Sequence, residues 1–529
     1  MYFTSGMFVL FLALLVAGYY VIFRRWQWQF LLCASLVFYA FSGWDNLIYL
    51  GATIVSTFLA GRYMGGVQAS LLHTLEEGKD TFSTAEAKAL RAEAKRRRKR
   101  ALVACLLLNL GILSVVKYAN FAIGNINSFL DLLGVNGSLG FLGLLLPMGI
   151  SFYTFQAMGY LIDVYRSKKP DAAERSIFRF ALFASFFPQM VQGPISRYGD
   201  LSKTLYQSRR FDSQIFGEGL LRVLWGFFKK LVVADRLLGA VRALTAAPDA
   251  YGGAYVLWAV LLYAVVLYAD FTGGIDIAIG AAKMLGITVA ENFDRPFYSK
   301  SIAEYWRRWH ITMGTWFKDY LFYPLSASKP MLALIKPSKR IFGEKNGVRV
   351  PVYLTTLILW FATGLWHGAS WNFIVWGLVN GVVIIISQEL TPAYRKFHAR
   401  FSWAKRGFYG AFQVIRTFLL MCFIRSFDIY PGVGATFSAF GSMFADFARN
   451  ATDFSGLMEL GPSLGDYIVA AVGVAMMIAA GAVKSRFYGN RAMSGTLLAV
   501  CAMALFFSVL VFGRYGFGYD ANQFIYNQF

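Results

Sequence analysis

Long apolar runs alternate with short polar connections along most of the chain. A helix that crosses the hydrocarbon core of a bilayer needs about 20 mostly apolar residues. The runs therefore predict candidate spans at roughly 6–23, 27–42, 47–65, 101–116, 139–160, 177–193, 216–233, 254–280, 351–366, 371–388, 408–425, 466–483 and 494–512. Some runs are short or carry Pro147, Pro188 or Pro194, which is typical of broken or re-entrant helices lining a cavity. Because the short and interrupted runs need not cross the membrane, we expect about 11 spans rather than one for every run.

Composition strengthens this interpretation. The 529 residues are 57% hydrophobic and 15% charged, against about 25% charged in a soluble domain, and the mean hydropathy is +0.50. So much apolar surface cannot be buried in globular cores alone. This excludes a soluble enzyme of common fold, a secreted disulfide scaffold and a disordered chain. The four cysteines lie within apolar runs without a CxxC pair and are interpreted as small hydrophobic residues.

The net charge of +22 is interpreted as a topology signal, because Lys and Arg collect in cytoplasmic loops. Arg24 and Arg25 follow the first run, the next loop has no base, and a basic cluster from Arg91 to Arg100 follows the third run. This alternation predicts an extracytoplasmic N-terminus. The cluster, with the Ala/Glu/Lys-rich stretch from Ala85, is expected to form a surface helix near anionic lipids. No nucleic-acid partner is expected.

Two other regions stand apart from the plain spans. The segment from Lys283 to Arg349 is both basic and aromatic, which predicts amphipathic helices at the cytoplasmic face or dipping into the bundle. Beyond residue 390 a Gly/Ser/Phe-rich connection precedes two further runs. We therefore expect a catalytic membrane domain over 1–390 and a C-terminal transmembrane appendage over 391–529.

Two of the four histidines are candidates for chemistry. His73 and His398 lie among charged residues, which favours solvated or structural roles. His367 lies in the run GLWHGASWN at the junction of two apolar spans, and His310 ends the run YWRRWH. A titratable ring near the membrane interior is a functional candidate, and imidazole is suited to proton transfer near neutral pH. A buried, hydrogen-bonded core role stays open for both, and neither has metal-ligand spacing.

The sequence lacks the common motifs of nucleophilic and nucleotide chemistry. There is no P-loop, GxSxG elbow or HExxH helix, and the hydroxyls of Ser151 and Ser370 have no elbow context. A base without a nucleophile of its own favours direct transfer between two bound substrates. An acceptor hydroxyl that attacks a thioester would need one well-placed histidine and a tunnel that excludes water.

A series of motifs, in order over roughly residues 1–390, resembles the membrane-bound O-acyltransferases. The motifs are PMGISFYTFQ from Pro147, FPQMVQGPISRY from Phe187, YADFTGGIDIAIG from Tyr268, ENFDRPF from Glu291, YWRRWHIT from Tyr305, WFKDYL from Trp316 and GLWHGASWNFIVWG from Gly364. The nearest branch resembles the alginate O-acetylation membrane component, with the teichoic-acid D-alanylation protein as the other relative. Arg308 and the C-terminal spans favour the first, whereas PLSASKP from Pro324 departs from its pattern and leaves the substrate open.

The resemblance implies an all-α polytopic membrane protein, a ring of tilted helices around a transmembrane tunnel with re-entrant and interfacial helices. His367 matches the catalytic histidine of the family, which would act as base on the acceptor hydroxyl. His310 matches a second histidine of the family's active site, which would position or polarise the donor carbonyl. The substrate-binding candidates are Arg307, Arg308, Trp309, Lys318, Asp319, Asn372 and Gln156. The basic members, with Arg295, would steer a polyanionic donor; Asn372 and Gln156 would either bind the thioester oxygen or make polar contacts between helices.

The function so implied is acyl transfer in a bacterial cell membrane. An acyl group, acetyl by expectation, would pass from cytoplasmic acetyl-CoA or an acyl-carrier thioester to an extracytoplasmic polysaccharide, directly or through an SGNH-hydrolase-like transferase or small membrane protein. No bound cofactor or metal is expected. The alternatives are D-alanyl transfer from a carrier protein to teichoic acid, a transporter or flippase for a lipid-linked glycan, and a scaffold that only recruits a soluble transferase.

Overall fold

The computed structural model describes residues 1–135, 137–247, 250–405, 407–450, 455–487, 493–516 and 519. All regular secondary structure within these ranges is helical. The chain divides into two compact units. Unit 1 comprises Met1–Phe216 and Ala281–Ala290, and unit 2 comprises Gly217–Gly280 and Glu291–Phe529. The predicted division at residue 390 stays a prediction.

Unit 1 is built from helices α1 to α8, which include two of the longest helices of the chain. They are α1 Gly6–Ala17, extended by the π-turn Gly18–Ile22, α2 Gln27–Ala40, α3 Asn46–Glu77, α4 Thr84–Leu132, α5 Ile150–Arg166, α6 Ile177–Ser185, α7 Phe187–Met190 and α8 Tyr198–Leu205. The boundary between the units falls within α9 Ser213–Phe227 and again within α11 Ala254–Met284.

The remaining helices belong to unit 2 and range from single turns to long apolar helices. They are the π-turn Phe228–Ala234, α10 Asp235–Ala246, the 3₁₀ turn Pro296–Tyr298, α12 Ile302–Arg308, α13 Ile311–Phe317, the π-turn Lys318–Phe322, α14 Tyr323–Ser326, α15 Lys329–Ala333, α16 Ile335–Gly347, α17 Val350–His367, α18 Trp371–Glu389, α19 Thr391–Arg400, the 3₁₀ turn Ser402–Lys405, α20 Gly407–Ile424, the 3₁₀ turn Arg425–Asp428, α21 Val433–Ala445, α22 Phe447–Asn450, α23 Ser455–Met458, α24 Leu464–Phe487 and α25 Gly495–Phe512.

Within the described ranges, eight helices are long and apolar enough to cross a membrane, fewer than the 11 or so expected from the sequence. They are Asn46–Glu77, Thr84–Leu132, Ala254–Met284, Val350–His367, Trp371–Glu389, Gly407–Asp428, Leu464–Ala482 and Gly495–Phe512. Each coincides with a predicted run. The runs at 6–23 and 27–42 form shorter apolar helices. The protein is therefore a multi-pass, all-helical membrane protein.

The predicted span over 139–160 is wrong in its first half. Residues 137–149 are not helical, and α5 begins only at Ile150. Gly149 has a φ of +71°, and a Cβ there would lie 1.9 Å from the carbonyl oxygen of Met190, so the chain turns sharply at this point. Asn127 pairs its side-chain amide with both backbone groups of Leu139, at 2.8 and 3.0 Å. These bonds replace the hydrogen bonds that a helix would make.

The basic cluster is helical and mostly exposed, as expected for a surface helix, and its helix, α4, continues without interruption into the apolar residues that follow. Its N-terminus is closed by a capping box between Ser83 and Glu86. Within the cluster, Arg98 is buried and donates to the carbonyl oxygens of Val164, Tyr165 and Ser167 at 2.7–2.9 Å. These are groups at the end of α5 that its own helix leaves unpaired. Arg98 therefore has a structural role.

Helices α17 and α18 form an antiparallel pair that packs at backbone distance. A Cβ on Gly377 would lie 2.3 Å from the carbonyl oxygen of Trp360, and one on Gly364 would lie 2.3 Å from that of Phe373. Small residues at such positions let membrane helices approach closely. The connection between the two helices is only three residues long, from Gly368 to Ser370. His367 is therefore held at a tightly defined point.

Candidate active site

His367 is the last residue of α17, at the junction of two apolar helices that the sequence predicts. Its side chain is buried, with 5% of the residue exposed. The imidazole meets the ring of Trp376 edge-on, with centroids 4.8 Å apart, and stacks toward Phe373 at 6.3 Å. An imidazole enclosed by aromatic rings is shielded from bulk water, and exclusion of water prevents hydrolytic side reactions at a site.

His310 lies between α12 and α13 and is completely buried. Its backbone is left-handed, with φ 46° and ψ 54°, a conformation that costs a non-glycine residue about 1–2 kcal/mol. Asn292 supports this turn. Its carbonyl oxygen accepts the backbone N–H of Ile311 at 2.9 Å, and its Oδ1 accepts the N–H and hydroxyl of Thr312 at 3.0 and 2.9 Å. Strain of this kind is typical of functional sites.

The same asparagine defines the tautomer of His310. Nδ1 of the imidazole lies 3.2 Å from Asn292 Oδ1, and the backbone N–H of Thr312 identifies that atom as the amide oxygen. Nδ1 therefore carries the hydrogen, and Nε2 is the acceptor nitrogen of the neutral ring. Burial, and secondarily the positive charge of Arg425, lowers the pKa of His310 to about 3. The ring is neutral at physiological pH.

One tryptophan connects the two histidines. The ring centroid of Trp366 lies 6.1 Å from that of His310 and 5.1 Å from that of His367. The structure thus brings together two residues that are 57 positions apart in the sequence, 367 − 310, within the interior of unit 2.

Arg425 was missed by the sequence reasoning and lies beside this pair. Its guanidinium carbon is 4.3 Å from the ring centroid of Trp309 and 5.7 Å from those of Trp306 and Trp376. The side chain also pairs with Asp428 at 3.1 Å. The signal that could have found it is a charged residue at the end of the apolar run 408–425, because charges at such positions are expensive.

The predicted basic residues divide into two groups. Arg307 and Lys318 are exposed. Arg308 is partly buried and paired with Glu304 at 2.8 Å, and Arg295 is paired with Asp294 at 3.0 Å. The exposed pair is open to an anion from solution, whereas the other two charges are balanced by neighbouring carboxylates.

The other predicted substrate-binding residues have the following positions. Trp309 is buried and stacks on Tyr305 at 5.6 Å. Asp319 lies in the π-turn after α13. Asn372 is partly buried and donates to the carbonyl oxygen of Tyr430 at 2.8 Å. Gln156 belongs to unit 1, where it donates to Gln189 Oε1 at 3.0 Å. Both amides thus make polar contacts with other parts of the protein. Among the described residues, no three or more His, Cys, Asp or Glu side chains group as metal ligands.

Comparison with known proteins identifies the family. The model of the MBOAT, membrane-bound O-acyltransferase, family matches residues 160–334, which include His310. The probable alginate O-acetylase of Azotobacter vinelandii is 34% identical over 391 residues, which cover 74% of this chain and 69% of that protein.

The chain belongs to the membrane-bound O-acyltransferase family.

This membrane-bound O-acyltransferase also resembles two other groups. The peptidoglycan O-acetyltransferase of Helicobacter pylori is 30% identical over 321 residues, 56% of this chain and 57% of that protein. The teichoic acid D-alanyltransferase of Streptococcus thermophilus is 27% identical over 261 residues, 48% of this chain and 59% of that protein. All of these relatives carry names of acyl-transferring enzymes, and the chain is an acyltransferase.

Proposed function

We propose that the protein transfers an acetyl group from a thioester donor to a hydroxyl of a cell-surface polysaccharide, directly or through an extracytoplasmic partner protein. The observation that carries this proposal is the pair of buried imidazoles, His310 and His367, joined through the ring of Trp366. The polysaccharide is favoured because the alginate O-acetylases match the longest part of the chain among the relatives described above.

In the proposed reaction, His367 accepts the proton of the acceptor hydroxyl. The hydroxyl oxygen then attacks the thioester carbonyl carbon, the C–S bond breaks, and the departing thiolate takes the proton from the His367 imidazolium, which returns the histidine to its neutral form. The apolar rings around His367 exclude the water that would otherwise hydrolyse the thioester. No nucleophile of the protein is required, and no covalent intermediate on the chain is expected.

His310 has a different role from His367. Because its Nδ1–H is directed at Asn292 Oδ1, the neutral ring offers Nε2 as an acceptor rather than a donor. We propose that His310 positions the donor by accepting a hydrogen bond, such as one from an amide N–H of a pantetheine arm. The expectation that it polarises the donor carbonyl would require the opposite tautomer.

The donor and its side of entry are further parts of the proposal. Arg307 and Lys318 are exposed cations near His310 in the sequence and suit the phosphates of coenzyme A or of a phosphopantetheine carrier. With an extracytoplasmic N-terminus, the basic cluster of α4 lies in the cytoplasm of a bacterial cell. The donor would then enter from the cytoplasm. The proposal keeps a catalytic domain over 1–390 and a C-terminal appendage over 391–529. It also includes an SGNH-hydrolase-like transferase or a small membrane protein as the extracytoplasmic partner, and contact of the protein with anionic lipids.

The test uses purified protein in proteoliposomes with three donors: radiolabelled acetyl-CoA, an acetyl-carrier protein and a D-alanyl-carrier protein. Release of free thiol and label on the polysaccharide are measured together. Acetyl transfer supports the proposal, and transfer of D-alanine alone would favour the teichoic-acid alternative. No thioester consumption with any donor, in protein shown to be folded, would contradict acyl transfer from these donors.

A further inference from the structure

Arg425 is a buried cation in an aromatic environment. It follows α20 directly, begins the 3₁₀ turn Arg425–Asp428, and is 6% exposed. Its counter-charge, Asp428, lies 3.1 Å away on the same turn, and its side chain is 4% exposed. A buried ion pair rarely stabilises a protein more than apolar side chains of the same size would. The presence of this ion pair therefore points to a role other than stability.

The faces of three tryptophans surround the guanidinium. The distances from its central carbon to the ring centroids are 4.3 Å for Trp309 and 5.7 Å for Trp306 and Trp376. All three lie within the range of about 6 Å over which a cation is attracted to an aromatic face. A planar guanidinium also stacks on such rings, which a lysine ammonium cannot do. Arg425 is thus placed to restrict the planes of these rings.

Two of the three rings are direct neighbours of the histidines. Trp309 precedes His310 in the chain, and both rings contact Phe271, at 6.1 and 5.0 Å. Trp376 meets His367 at 4.8 Å. The cation thus contacts one supporting ring of each histidine, while it lies in a turn that carries neither histidine.

We propose that Arg425 is a positioning residue, which fixes the orientations of the His310 and His367 rings through Trp309 and Trp376. This inference rests on the proposed acyl transfer and adds the region beyond residue 390 to the active site. The neighbouring Asp428 neutralises the charge from the same turn, so that the guanidinium is free to face the rings rather than a carboxylate across the site.

The experiment compares Arg425→Gln and Arg425→Lys with the wild-type full-length protein in the acyl-transfer assay, using the donor that the wild type accepts. Misorientation of His367 lowers kcat, whereas misorientation of His310, whose Nε2 is proposed to hold the donor, raises KM for the donor. We expect kcat of Arg425→Gln to fall about tenfold or more, because a misplacement of about 1 Å can cost up to 10²-fold in rate. We expect KM for the donor to rise about two- to tenfold, the contribution of one hydrogen bond. Arg425→Lys keeps the charge but not the stacking, so its kcat should lie between those of the wild type and Arg425→Gln.

Arg416→Gln is the matched control. Arg416 lies on α20, the helix that Arg425 directly follows, is partly exposed, and donates to the carbonyl oxygen of Lys300 at 2.9 Å. We expect kcat of Arg416→Gln to be unchanged. A folded Arg425→Gln protein with wild-type kcat would overturn the proposal. So would failure of both Arg425 variants to fold, because the residue would then serve the fold rather than the rings. An inactive wild type would instead refute the proposed function.

Discussion

The close packing of α17 and α18 leads to a quantitative prediction for Gly377→Ala. The new Cβ would lie 2.3 Å from the carbonyl oxygen of Trp360, and ordinary contact begins at 3.4 Å. The helices must therefore separate by about 1 Å at this point. Overpacking of this kind costs about 1–3 kcal/mol, of which the better helix propensity of alanine offsets about 1 kcal/mol. We expect a net loss of up to about 2 kcal/mol.

The same displacement should affect the reaction, because Gly377 adjoins Trp376, whose ring supports His367. We expect kcat to fall by about tenfold or more. Gly441→Ala in α21 is the matched control, since a Cβ there meets nothing within 4 Å and should stabilise the helix by about 0.5–1 kcal/mol. Unfolding in mixed detergent micelles gives the stability, and label transfer gives kcat. A Gly377→Ala protein that matches Gly441→Ala in both would refute the packing argument.

Three further predictions concern buried ionisable side chains. Lys230→Met removes the cation bonded to Asp270 at 2.6 Å and should cost about 3–5 kcal/mol of stability, partly restored by adding Asp270→Asn. Arg98→Ala leaves three carbonyls of unit 1 unpaired and should cost more than about 2 kcal/mol, whereas the exposed Arg97→Ala should stay within about 0.5 kcal/mol. Burial lowers the pKa of His310 from 6.5 to about 3, so below pH 6.5 the unfolded chain binds a proton that the folded protein does not. The contribution of the neutral ring to stability is therefore complete above pH 6.5 and is lost as the pH falls toward 3. This contribution should amount to about 1.6 kcal/mol between pH 6.5 and 5, and it should be missing in His310→Gln. Thermal unfolding in detergent checks all three. Wild-type stability of Lys230→Met, equal losses for the two arginines, or an unchanged pH dependence in His310→Gln would contradict the corresponding argument.

The long spans could be predicted because apolar length is a local property. A run such as 371–388 must bury its backbone polar groups in hydrogen bonds of its own, and a helix satisfies them all. The same rule failed at 139–149, where the run is apolar but not helical. There the amides of Asn120 and Asn127 bond to the backbone of Leu142 and Leu139, and such long-range pairing cannot be deduced from hydropathy.

The candidate site could also be predicted only in part from the sequence. The histidines stood out because imidazole is rare in this chain and conspicuous near apolar runs. Asn292, Trp366 and Arg425 did not, because their importance depends on which elements meet in space. An asparagine, a tryptophan and a helix-terminal arginine are each unremarkable until the fold places them beside the two rings.

The central claim is that His367 is the base on the acceptor hydroxyl, and the most direct measurement is single-turnover acyl transfer by His367→Ala and His367→Gln. Folded protein, preloaded with radiolabelled thioester donor, is mixed with acceptor, and label transfer is followed over time. Loss of a general base should slow the transfer step by about 10²–10⁴-fold, with the amount of donor bound unchanged. Transfer by either folded variant at a rate within a few fold of wild type would contradict the account.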